Sequence, residues 1–131
     1  MTGPDLVRIV RSRGSDAEDP RDAAHEAAHA LRWGVRKRWT RDNIHAKKPE
    51  ARAYGIADEM EARAVEQIVC GRIGYACGSI EKWAETCWFE TLKNEGIALP
   101  SPAWIVGCVR RRLDDPGALA LAERVLALGT A

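Results

Sequence analysis

The sequence predicts an all-α or mainly α fold of about five helices, and three observations carry that reading. Apolar residues recur at i, i+3, i+4 and i+7 along most of the chain, the spacing of one helix face. Three Asp-Pro or Ser-Pro pairs, Asp19-Pro20, Ser101-Pro102 and Asp115-Pro116, stand where helices should begin. Only Leu6 to Val10 (LVRIV) has the β-branched character of a strand. It also fits a turn of helix, so at most one or two short N-terminal strands are expected.

Each helix has its own signal. At Asp19-Pro20 the Asp side chain can accept a bond from a free backbone N–H, and Pro fits the first turn, where its missing donor costs nothing. This helix is expected from about Pro20 to about Trp39. Thr40 to Arg52, polar and basic with Pro49, reads as a loop. A second helix, around Ile56 to Ala76, carries Ala57, Met60, Ala64, Val65, Ile68 and Val69 on a stripe, and Gly71, Gly74 and Gly78 weaken and then end it. Ser79 caps a third, with Ile80, Trp83, Ala84, Cys87, Trp88, Thr91 and Leu92 at helical spacing, ending near Asn94 to Gly96. Ser101-Pro102 opens a fourth with Ile105, Val106, Val109 and Leu113. The fifth runs from Asp115-Pro116 to Leu128, apolar on nearly all sides, so it is buried in this chain or against a second copy of it. Trp83, Trp88 and Trp104 fit core positions in this scheme.

The chain has 131 residues, 46% hydrophobic and 30% charged, which suits one folded helical domain over residues 1–131 and argues against intrinsic disorder. No apolar run reaches the roughly 18 residues of a membrane span, and the start has no long apolar stretch before a cleavage site. The expectation is a protein without a membrane segment. Charge is nearly balanced overall, 20 basic against 19 acidic residues, but Arg32 to Arg52 is strongly basic and could face nucleic acid. The four cysteines, Cys70, Cys77, Cys87 and Cys108, form no C-x-x-C pair and read as reduced core thiols, which points to the cytoplasm.

One segment stands apart. His25-Glu26-Ala27-Ala28-His29 lies inside the first helix, where residues four apart lie one turn along on nearly the same side, so both imidazoles can reach one metal ion. Glu26 points elsewhere and can hold a proton-accepting carboxylate near water without ligating the ion. With three His in 131 residues, a chance H-E-x-x-H is expected only about 0.006 times. Ala23, Ala24, Ala27, Ala28 and Ala30 would let another backbone approach closely. Asp22, three residues before His25, is a candidate partner for an imidazole N–H, and it also suits the helix dipole.

At AAHEAAHAL the sequence resembles the zincin metallopeptidases over roughly residues 20 to 70. The resemblance implies a catalytic Zn²⁺ with three protein ligands, water at the fourth position and Glu26 as general base. It also implies a protein or peptide substrate. Zincins hold that substrate along the edge of a sheet, whereas only residues 1–18 precede the helix here. In gluzincins, including the small ImmA/IrrE-type members, the third ligand is a Glu on a following helix. DEMEARAVE offers Glu59, Glu61 and Glu66. Glu61 shares its face with Ala57, Ala64, Val65 and Ile68, so it is the expected third ligand or else a buried partner for Arg32 or Arg36. Glu59 and Glu66 fall on the opposite side, expected to be solvated. A weaker resemblance, to Spartan/SprT-like proteases acting near DNA, would instead use His45 as the third ligand and the basic loop with Trp33 and Trp39 as a DNA-facing surface. Against both stands a non-catalytic helical interaction module, nucleic-acid-associated through its basic segment, with the histidines as surface features.

Overall fold

The computed structural model describes Arg8 and residues 19–32, 49–94 and 100–128. Among them the fold is all helix, with five helices: α1 (Pro20–Arg32), α2 (Pro49–Ile73), α3 (Ile80–Asn94), α4 (Pro102–Arg112) and α5 (Pro116–Leu128). No strand occurs among the described residues, and Arg8, within LVRIV, is helical. The rest of that segment, the stretch from Trp33 to Lys48 and His45 with it lie outside the described residues.

The starts follow the capping chemistry. Asp19 Oδ1 accepts from Arg21 N at 2.8 Å and its carbonyl from Ala23 N at 2.9 Å, closing the first turn of α1. Ser79 Oγ accepts from Lys82 N at 3.2 Å, Ser101 Oγ from Trp104 N at 3.1 Å, and Asp115 Oδ2 from Gly117 N at 2.9 Å. One start differs from expectation. Helix α2 begins at Pro49 rather than near Ile56, so Pro49 to Arg52 are helical; a proline in the first turn opens a helix as readily as it marks a loop.

Helix α2 ends at the one glycine whose conformation the turn requires. Gly74 has φ 71°, a left-handed conformation that costs a side-chain-bearing residue about 1–2 kcal/mol. Tyr75 N then donates to the Cys70 carbonyl at 3.0 Å, the long bond of a Schellman turn. The chain reverses there and runs back beside α2 as far as Ser79.

Two cores flank α2. On one side Ala62, Val65 and Val69 pack against Ala23, Ala24, Ala27 and Ala28 of α1 and Ala118, Leu121, Ala122 and Val125 of α5. On the other, Met60 and Ala64 meet Ile80 and Ala84 of α3 and Ile105, Cys108 and Val109 of α4. A helix packed on two sides has no single apolar stripe, which is why its sequence pattern misleads about individual positions. Trp83 and Trp88 are partly buried against the second core, but Trp104 is 42% exposed and is not a core residue. None of the four cysteines is in a disulfide, and Cys70 and Cys108 are buried. No described helix is long and apolar enough to cross a membrane.

Candidate metal centre

The alanines of α1 explain the site. Ala23, Ala24, Ala27 and Ala28 are at most 3% exposed and have almost no side chain, so α2 lies close against this face and its polar groups reach the histidines at its edge. His25 and His29 meet edge to face one turn apart, with ring centroids 4.9 Å apart and planes at 69°. Glu59 reaches across from α2. Its Oε2 is 3.1 Å from His25 Nε2 and its Oε1 is 2.8 Å from His29 Nε2. One donor atom each from His25, His29 and Glu59 lies within 4.8 Å of the others.

The expected third ligand, Glu61, is not in this group. Glu59 meets both imidazoles, while Glu61 is half-buried outside the group, on the side of α2 between its two packed faces. Glu59 and Glu66 share a face, as seven-residue spacing requires; Glu59 is exposed there, as expected, whereas Glu66 packs against His25 of α1. Glu66 is buried at 4% exposure. The His25 Nδ1 partner sought in Asp22 is Glu66: its Oε1 lies 3.2 Å from that nitrogen, whereas Asp22 is exposed on the cavity wall. Spacing could have found Glu66, since it stands two turns from Glu59.

Around Glu66 the groups are donors. Arg63, 5% exposed, pairs with its Oε2, and the Cys77 thiol donates to the same oxygen at 3.4 Å. A hydrogen bond with Cys70, together with burial, pushes the Cys77 thiol well up from the ordinary range, so it stays a donor. Arg63 also donates to the Gly78 carbonyl, as Gln67 Nε2 does at 2.9 Å, and its guanidinium lies 5.8 Å from the Trp83 ring centroid. These bonds fasten the returning 75–79 segment to α2.

Electrostatics at Glu59 has two opposed causes. Burial raises its pKa, but the hydrogen bond from His25 and the adjacent His29 ring outweigh burial and hold the carboxyl well below the usual carboxylate range. The group is therefore an anion at neutral pH. His29 Nε2 tests whether a cation fits: it is buried, with Glu59 Oε1 2.8 Å away as an ion-pair neighbour and no hydrogen bond that satisfies it. A buried nitrogen left so is costly unless something else meets its lone pair. Two imidazoles and one carboxylate form a donor set that zinc takes in catalytic sites.

The site opens into a cavity of about 410 Å³ lined by Arg21, Asp22, His25, Glu26, Glu59, Arg63, Glu66 and Trp83. Glu26 is exposed on that wall, beside the donor group and outside it. Comparison with known protein families, characterised proteins and solved structures finds no match.

Proposed function

We propose that this chain is a zinc-dependent peptidase of gluzincin-like chemistry, with His25, His29 and Glu59 as metal ligands and Glu26 as general base. The observation that carries the reading is the meeting of Glu59 with both imidazoles of the HExxH helix, with Glu26 on the same cavity wall. Zinc in such a donor set supplies a Lewis acid that polarises a carbonyl and lowers the pKa of its water to about 7.

The chain's own residues supply the rest. Glu26 is placed to take a proton from water in the cavity and return it to a leaving amine, the acid–base work of one carboxylate used twice. Trp83, half-buried on the wall, offers an apolar surface against which a substrate side chain can exclude water. Arg63 and Glu66 pair with one another on the cavity wall, and Glu59 brings a carboxylate to both rings.

Metal analysis of protein purified without chelator or histidine tag tests the reading. Wild type should hold one equivalent of zinc, lost on His25→Ala, His29→Ala or Glu59→Ala and kept in Glu61→Ala and His45→Ala. Glu26→Gln should keep zinc while peptide cleavage falls by about 100-fold or more. Metal-free wild type, or zinc that survives Glu59→Ala but not Glu61→Ala, contradicts it.

A further inference from the structure

We infer that Cys70 and Cys77 form an oxidation site: a hydroperoxide oxidises Cys77, and Cys70 then closes a disulfide with it that ties the returning 75–79 segment to the end of α2. The inference does not depend on the metal centre. The turn makes the pair. Gly74, with φ 71°, and the bond from Tyr75 N to the Cys70 carbonyl at 3.0 Å fold the chain back on α2. Cys77 Sγ thereby comes to 3.8 Å from the Glu66 carbonyl and 3.4 Å from Glu66 Oε2. That carbonyl stands four residues before Cys70, so the Cys77 sulfur lies over the same last turn, in hydrogen-bond contact with the Cys70 thiol. Arg63 and Gln67 hold the Gly78 carbonyl, which fixes the segment one residue further on.

The two thiols have different tasks. Cys77 is half-buried and Cys70 is 0% exposed, so the oxidant reaches Cys77 first. Its sulfur attacks the peroxide: an S–O bond forms, the O–O bond breaks, and the thiol proton leaves with the released alcohol or water. The Cys70 sulfur then attacks the Cys77 sulfenic acid. An S–S bond forms, the S–O bond breaks, and the hydroxide leaves as water with the Cys70 proton. Two thiols lose two electrons in all, and one hydroperoxide gains them. Local charge suits this order. The Glu66 carboxylate disfavours a thiolate on Cys77, whereas the hydrogen bond from Cys77 and the guanidiniums of Arg21 and Arg63 hold the Cys70 pKa below its ordinary value despite burial. Arg63 Nη2 and Arg21 Nη1 lie 3.7 and 3.8 Å from where a Cβ on Gly78, next to Cys77, would stand. The first step is therefore slow and the second fast, so the sulfenic acid does not accumulate.

Peptide mapping tests this. The whole protein is treated with hydrogen peroxide, unfolded in an alkylating agent without reductant, and cut with trypsin. Arg72 lies between the two cysteines, so reduced protein yields peptides 64–72 and 73–82 separately, each alkylated. Oxidised protein should yield them joined, at about 2 Da below the sum of the two free-thiol peptides, and dithiothreitol should separate them. In Cys70→Ala, Cys77 should accumulate as a sulfenic acid that dimedone traps; in Cys77→Ser, Cys70 should stay a thiol. If Cys70→Ala does not fold, the wild-type map and Cys77→Ser decide. Wild-type peptides that remain separate and alkylated after peroxide, or a disulfide from either cysteine to Cys87 or Cys108, overturn the inference. Oxidation of Cys70 in Cys77→Ser overturns the order of the two steps.

Discussion

Asp19 shows how one residue can serve helix start, tertiary contact and pH response. Its carboxylate caps α1, pairs with Arg21 at 2.8 Å and accepts from the Tyr75 hydroxyl at 3.4 Å. The Arg21 hydrogen bond, partly opposed by burial, holds its pKa below the ordinary value near 4. A depressed carboxylate pKa contributes stability that is present above the unfolded value and lost as pH falls through the folded one. Asp19→Asn keeps a cap but not the charge. The gap in urea midpoint between wild type and Asp19→Asn should therefore be largest near neutrality and close below about pH 4; a gap that stays constant down to pH 3 would contradict this assignment. Asp19→Ala, which removes the cap as well, should cost about 1 kcal/mol at neutral pH. Glu59 is held low in the same direction at the site: a side chain 49% exposed, with its carboxylate drawn between two rings.

Among the elements, the seam between α1 and α2 decides whether the site exists. Ala24 and Ala28 are fully buried in it, so every added methylene pushes the helices apart. Ala28→Leu should cost about 1–3 kcal/mol in chemical denaturation and also weaken zinc binding, since Glu59 must cross that seam to reach His25 and His29. A variant destabilised to this extent with wild-type zinc affinity would show that the seam does not set the ligand distance. Helix starts were legible in the sequence because capping is local: Asp19, Ser79, Ser101 and Asp115 each bond two or three residues on. The two histidines and Glu26 were legible for the same reason, all lying within five residues of one helix. What sequence could not resolve is which side of α2 meets α1. Ala62 and Val65 face one core and Met60 and Ala64 the other, so a single stripe puts Glu61 inward and sends Glu66 to solvent, while Glu59, exposed as expected, still reaches the histidines. Trp104 fell to the same error of scale, since helical spacing alone does not say whether another element covers a position.

On the scale of the molecule, α2 is shared between two cores of unlike material. Alanine dominates the one beside the candidate metal centre, where close approach matters, while the other is built from Met60, Ile80, Ile105 and Val109. The division predicts that stability and metal affinity can be altered separately. Ile105, fully buried in the second core, should cost about 2–5 kcal/mol when replaced by Ala, with zinc affinity within about twofold of wild type. A parallel loss of affinity in the folded variant would mean that the cores are coupled through α2. The Gly74 turn carries one more consequence. Because the Gly78 carbonyl receives both Arg63 and Gln67, the short stretch from Gly74 to Gly78 works as a strap of set length. Lengthening that strap by a single amino acid would slacken the grip on Arg63, and the disturbance would travel through Glu66 to an imidazole encoded some fifty positions earlier. Natural variation in the length of this connection should accordingly be narrower than its place between two helices would suggest.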